Sequence, residues 1–383
     1  MNNFEYHNPT KIIFGKGSIA RLSDELPADA RILMLYGGGS IKRNNIYEQV
    51  TAALEGFEYS EFSSIEPNPH YETCMTAVEK IRCEGFNYLL AVGGGSVIDA
   101  AKFISAAVLY DGDPWDFYTK GVKVGRTMPV GVVLTLPATG SEMNDRSIIS
   151  RVGTNQKLGL HSKAIYPKFS ILDPETSYSL PVRQIANGVV DSFIHVAEQY
   201  LTYPVNALVQ DYFAESLMRI FIEEGKRVLE CPGDYNVRAN LMWASTNALN
   251  GWIGLGVPQD WASHRIGYGL TIDYGMDHGQ TLAIVLPGVL RYMKKQKEVK
   301  ILRMGTVLFG ITEGSVDERV EATIQAMEAF FCHMGLKTRL SDVGLGVEAI
   351  DSVARPFELA GWKLGEHGNI SAKEVREIMQ LCL

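Results

Sequence analysis

Short apolar runs that end in glycine alternate, over the first half of the chain, with stretches of helical period. The clearest are RILMLYGGGS at 31–40, NYLLAVGGGS at 87–96 and VGVVLTLPATGSE at 130–142. Such alternation predicts a parallel sheet with crossover helices. From about Pro181 onward the strand-like runs become rare. Segments such as NALVQDYFAESLMRIFIEEGKRVLE and NVRANLMWASTNALNGWIG place apolar residues at three- and four-residue spacing, so the second half is expected to be helical. The pattern predicts two domains, α/β over 1–182 and all-helical over 183–383, with a ligand in the cleft between them. Ser315 with Glu318, and Ser371 with Glu374, fit capping boxes at helix starts, and Gly335 is the expected stop of the first of these helices.

Composition narrows the classes. A chain of 383 residues with 46% hydrophobic content suits a soluble protein of two domains. A net charge of -8, with only short basic clusters, argues against a nucleic-acid surface. The start, MNNFEYHNPTKIIFGKGS, lacks the basic and apolar regions of a signal peptide, and no run approaches eighteen apolar residues, which points to a cytosolic protein without membrane contact. Cys74, Cys83, Cys231, Cys332 and Cys382 are odd in number and scattered, so neither a disulfide framework nor a cysteine zinc site is expected.

The two GGGS strings, Gly37-Gly38-Gly39-Ser40 and Gly93-Gly94-Gly95-Ser96, each follow a predicted strand and precede a predicted helix. Open backbone amides at the positive end of a helix suit a phosphate. A third turn, ATGSE at 138–142, adds to the case, although none of them matches the G-x-G-x-x-G spacing. Beyond the first turn stand Lys42 and Arg43 where an NAD-selecting enzyme keeps an acid, so NADP(H) is favoured over NAD(H). The alternative is that both cations simply lie in solvent. Asp99, in the first turn of the next helix, either complements the helix dipole or orients the nucleotide.

Asp191 and His195 stand at i and i+4 on one helical face. His264 and His278 follow on segments that read as buried. A carboxylate and an imidazole side by side in an apolar helix need a mutual hydrogen bond or a shared cation, and one Asp with three His is a donor set suited to Zn²⁺ or Fe²⁺.

Taken together, EPNP at 66–69, GGGSVIDAAK at 93–102, LTLPATGSE at 134–142, NGVVDSFIHVAEQY at 187–200 and H-x13-HG at 264–279 resemble the iron-dependent, group III, alcohol dehydrogenase family. The YGGGSIK turn, the NPTKIIFGKGSI opening and GVPQDWASH are similar to its bacterial NADPH-dependent aldehyde reductase and butanol dehydrogenase branch. The resemblance covers essentially the whole chain. It implies a dehydroquinate-synthase-like fold, a divalent iron or zinc held by Asp191, His195, His264 and His278, and hydride transfer between NADP(H) and a primary alcohol or aldehyde. Cofactor contacts are implied at Asn68, Gly94, Gly95, Ser96, Asp99, Thr135, Ser141 and Lys157, together with the first glycine turn. A homo-oligomer, a dimer, is expected.

Two departures stand out. Tyr268 occupies the position four residues after His264 where the family usually keeps a second histidine, making it a candidate in proton transfer. Met143-Asn144-Asp145-Arg146 replaces the usual small residues after TGSE. Two other readings remain open: a phosphate-eliminating cyclase of the dehydroquinate synthase type, and a metal- and nucleotide-binding protein that has lost turnover.

Overall fold

The computed structural model describes residues 1–383, which form two compact units. Residues 7–180 with 233–246 make one; residues 1–6, 181–232 and 247–383 make the other. No helix is long and apolar enough to cross a membrane.

The first unit contains strands β1 (Lys11–Phe14), β2 (Arg31–Leu35), β3 (Glu58–Phe62), β4 (Tyr88–Gly94), β5 (Val130–Leu136), β6 (Arg146–Arg151), β7 (Gln156–His161) and β8 (Phe169–Leu172). Its helices are α1 (Leu22–Glu25), α2 (Ile46–Ala53), α3 (Tyr71–Glu84), α4 (Gly95–Ala107) and α5 (Asp116–Thr119). Six strands form a parallel sheet in the order β1-β8-β5-β4-β2-β3. The apolar run of β2 is explained by burial of both sheet faces: Leu33 and Leu35 enter one core with α3 and α4, while Ile32 and Met34 enter the other with Ile46 and Val50 of α2.

The remaining two strands, β6 and β7, form a separate antiparallel hairpin with Arg146 opposite His161. The sequence reading, which expected parallel pairing alone, did not anticipate it. The hairpin follows TGSE and turns through Asn155, which takes the left-handed conformation. Turn geometry, rather than strand composition, decides that pairing.

The second unit is helical, with α6 (Val182–Tyr200), α7 (Leu208–Glu230), the end of α8 (Tyr235–Ala248), α9 (Ala262–Tyr274), α10 (His278–Tyr292), α11 (Lys294–Phe309), α12 (Val316–His333), α13 (Glu348–Ala360) and α14 (Ala372–Gln380). Most of α8, up to Thr246, belongs to the first unit. Phe193 of α6 packs against Phe330 and Phe331 of α12 at centroid distances of 5.3 and 5.8 Å. A second core joins Ile266 and Leu270 of α9 to Ile284 and Val285 of α10 and to α13 and α14. Both expected capping boxes form, and Gly335, at φ 87°, follows the end of α12 as predicted.

Candidate metal centre and cofactor turns

The second unit brings three helices to one point. Asp191 and His195 lie one turn apart on α6, which is buried along almost its whole length. His264 is in the first turn of α9, and His278 is the first residue of α10. Close helix approach at these positions needs glycine. A Cβ on Gly267 would lie 2.8 Å from Thr281 Oγ1, and one on Gly279 would lie 2.5 Å from the carbonyl oxygen of Asn187. The glycine of the HG pair is thereby accounted for: it lets the start of α10 rest on α6.

All three imidazoles aim Nε2 at the same carboxylate oxygen. Asp191 Oδ1 is 3.5 Å from His195 Nε2, 3.6 Å from His264 Nε2 and 3.8 Å from His278 Nε2. His195 and His264 stack at 4.6 Å, and the His278 ring stands 5.2 Å from His264. A tetrahedral ion with bonds near 2.1 Å spaces its ligand atoms by about 3.4 Å. Asp191, His195 and His264 offer ligand atoms all within 4.8 Å of one another.

The test of fit is the state of the buried atoms. Asp191 Oδ1 and His264 Nε2 are both buried and lack a hydrogen-bond partner, an expensive arrangement that a shared cation removes. Burial alone would raise the Asp191 pKa, but the imidazoles of His195 and His278 hold it down to about 2. Burial would lower that of His264, but the carboxylates of Glu198 and Asp191 raise it to about 9. The pocket favours positive charge, and its one-oxygen, three-nitrogen set is chemically suited to iron or zinc.

Glu198 escaped the sequence reading. Its Oε2 contacts Nδ1 of His264, and its Oε1 accepts the Ser263 N–H at 2.6 Å. The signal was present: Asp191, His195 and Glu198 stand at i, i+4 and i+7, on one face.

Tyr268 lies beside His278, with ring centroids 5.7 Å apart. Of the cations that the cyclase reading would need near these ligands, Arg183 is paired with Asp277 and Arg265 lies over the Trp362 ring.

In the first unit the glycine turns differ. The second leads straight from β4 into α4, with Gly95 and Ser96 in the first helical turn, and a Cβ on Gly95 would lie 2.4 Å from Thr139 Oγ1. The first does not open an α-helix. Gly37, Gly38 and Gly39 lead into one 3₁₀ turn, Ser40–Arg43, and α2 starts only after Asn45 in the left-handed conformation. The expected helix dipole is therefore missing there, and the Gly39 N–H is donated to the Gly37 carbonyl, so exposed Gly38 and Ser40 are what the turn offers. The third turn also ends in a short 3₁₀ segment, Ser141–Met143.

Lys42 is not simply in solvent. Its Nζ lies 3.2 Å from Glu61 and over the rings of Tyr36 and Tyr47. Glu61 also accepts both tyrosine hydroxyls at 2.5 Å. An acid thus does stand near the first turn, supplied by the neighbouring strand and shared among three donors. Arg43 is exposed.

Lys157 Nζ donates to Asn68 Oδ1 at 2.7 Å, and the Asn68 N–H donates to Ser96 Oγ, so these three form one cluster. Thr135 lies near the end of β5 and is partly buried. Asp99 is committed internally: it accepts Ser141 Oγ at 2.5 Å and the Ile148 N–H at 3.0 Å. Lys102 is fully buried among Ser141 Oγ, both oxygens of Asn144 and the Arg146 carbonyl, at 2.8–3.0 Å. The bulk after TGSE is consumed in the same way, Asn144 by Lys102 and Asp145 by His161 at 3.0 Å.

Against known proteins, residues 9–174 match the iron-containing alcohol dehydrogenase model, and residues 185–381 match the C-terminal model of the Fe-containing alcohol dehydrogenase family. The chain belongs to the iron-containing alcohol dehydrogenase family. It is 50% identical to the NADPH-dependent aldehyde reductase YqhD of Escherichia coli K12, with 99% of each chain covered. It is 42% identical to NADP-dependent alcohol dehydrogenase 3 of Entamoeba histolytica, covering 99% of this chain and 98% of that one. The crystal structure of E. coli K-12 YqhD superposes with a TM-score of 0.98 at 49% identity, covering 100% of this chain and 99% of that one.

Proposed function

We propose that this protein is a metal-dependent oxidoreductase that transfers a hydride between NADP(H) and a primary alcohol or aldehyde, acting as an aldehyde reductase. The observation that carries the reading is the convergence of three Nε2 atoms on one buried oxygen of Asp191. Identity of 50% over the full length with an NADPH-dependent aldehyde reductase supports the cofactor and the direction.

Asp191, His195, His264 and His278 would hold one divalent iron or zinc. Such an ion supplies Lewis acidity, polarising a carbonyl oxygen or stabilising an alkoxide. The chain's part is positional and electrostatic. Asp191 would bring one negative charge to such an ion, and three imidazoles on three helices would fix its place. In the first unit the turns at Gly37–Ser40 and Gly93–Ser96 present backbone amides to the dinucleotide phosphates. Ser40, Lys42 and Arg43 are assigned to the 2′-phosphate, with Lys42 preoriented by Glu61 and two tyrosine rings. Asn68, Thr135 and Lys157 are assigned to the rest of the nucleotide. Asp99 and Ser141 shape that surface through their mutual hydrogen bond.

Tyr268, which lies beside His278, is kept as a candidate in proton transfer that Tyr268→Phe tests.

The cyclase reading is not favoured, because Arg183 and Arg265 are already engaged. A site that holds its whole donor set together also speaks against a protein that has lost turnover. Five free cysteines fit a reducing cytosol. Self-association is supported by the open edge of β1, where Phe14 and Trp243, 42% and 43% exposed, stand together.

The test follows NADPH and NADH oxidation across aliphatic, aromatic and dicarbonyl aldehydes. Faster turnover with NADPH on at least one class is expected. Equal rates with both cofactors would remove the 2′-phosphate assignment, and no turnover on any aldehyde would favour the binding-protein reading.

A further inference from the structure

Glu198 is 2% exposed, and both of its oxygens are spent on consecutive residues of α9. Oε1 accepts the Ser263 N–H at 2.6 Å, and Oε2 meets Nδ1 of His264. Its backbone carbonyl accepts the Asp260 N–H at 3.1 Å, and the Asp260 carboxylate lies 2.7 Å from the buried ammonium of Lys297. The segment entering α9 is thereby tied to α6 at two levels.

A buried carboxylate is a costly way to satisfy one helix N-terminus, since a neutral Ser or Asn does that. Orienting an imidazole is different. With Nδ1 donating to Glu198, the neutral His264 ring carries its lone pair on Nε2, the atom that faces Asp191 Oδ1 at 3.6 Å and has no hydrogen-bond partner. Asp191 and Glu198 together would also balance the charge of a divalent ion held there. Metal-ligating histidines are commonly held through their other nitrogen in this way.

We propose that Glu198 is a positioning residue of the metal centre, fixing the tautomer and ring orientation of His264 and through them the affinity for a divalent cation. This rests on the metal assignment made above.

The experiment strips the wild type, Glu198→Gln and Glu198→Asp with a chelator and titrates Zn²⁺ back against a chromophoric competitor. Co²⁺ absorption spectra and NADPH binding are recorded in parallel. Glu198→Gln is expected to bind Zn²⁺ roughly 10- to 100-fold more weakly, to shift the Co²⁺ spectrum and to bind NADPH normally. Glu198→Asp, which keeps the charge, is expected to recover part of the affinity. Wild-type Zn²⁺ affinity with an unchanged Co²⁺ spectrum in Glu198→Gln would overturn the inference alone; absence of Zn²⁺ uptake by the wild type would overturn the metal assignment with it. Should Glu198→Gln not fold, the ¹⁵N-histidine spectrum of the Zn²⁺-loaded wild type decides. The Nδ1–H tautomer at His264 is expected, and the Nε2–H tautomer would contradict the proposal.

Discussion

Gly279 rests directly on Asn187: a Cβ at 279 would stand 2.5 Å from the Asn187 carbonyl oxygen and 2.9 Å from its Cα. The obstacle is backbone, so α10 rather than a side chain must give way. Gly279→Ala is expected to cost about 1–3 kcal/mol and to move His278, its neighbour, away from Asp191. Thermal unfolding and Zn²⁺ affinity measured together check this, and both should fall. A variant with unchanged metal affinity would mean that His278 is placed by something other than this contact.

Asp260, Lys297 and Glu366 form a buried cluster of two carboxylates and one ammonium, with Lys297 Nζ 2.7 Å from Asp260 and 2.8 Å from Glu366. Burial pushes the Asp260 pKa up to about 7 against the pull of Lys297, while Lys297 keeps Glu366 low despite its burial. The folded chain then holds a proton on Asp260 that the unfolded chain releases near its ordinary value of 3.8. Stability from this group is complete below pH 4 and is lost as pH rises through 7. Asn at 260 imitates the protonated form. The Tm of Asp260→Asn relative to wild type is therefore expected to rise between pH 5 and pH 8, by at least about 2 °C. A difference independent of pH would show that Asp260 is ionised throughout.

Lys102 sits in the first unit among four oxygens and close to Asp99, with its pKa lowered to about 8, chiefly by burial. Lys102→Met leaves that buried carboxylate without its cation, and a loss of about 3–5 kcal/mol is expected. Adding Asp99→Asn should return part of it, because the two positions are coupled. Additive losses in a double-mutant cycle would refute the coupling.

How far the chain could be read depended on range. The α/β and helical halves were visible because burial of both faces of β2, and one-sided burial of helices such as α12, leave local periodicities. Asp191 and His195 were visible as an i, i+4 pair, and His264 and His278 through spacing shared with a family. Glu61 was not, since it reaches the first glycine turn from the adjacent strand. Neither was the 3₁₀ turn that replaces a helix start after Gly39, which depends on Asn45 adopting positive φ. Glu198 was within reach on its helical face, but its partners Ser263 and His264 lie more than sixty positions away.

Tyr268 and His278 stand 5.7 Å apart by ring centroid. If Tyr268 only packs, Tyr268→Phe keeps turnover within about threefold and the same pH profile, because no proton then passes through its hydroxyl. A loss of about 10²-fold or more with metal and NADPH binding intact would instead make the hydroxyl a general acid or base.

The most direct measurement titrates chelated enzyme with Zn²⁺ or Fe²⁺ while following both metal content and NADPH-dependent aldehyde reduction, with NADPH binding as control. Activity is expected to fall by about 10²- to 10⁴-fold on stripping, as the loss of several kcal/mol of carbonyl polarisation requires, and to return at one ion per chain. Asp191→Ala should neither bind the ion nor recover, while still binding NADPH. Full activity after complete metal removal, or metal-restored activity in Asp191→Ala, would contradict the account.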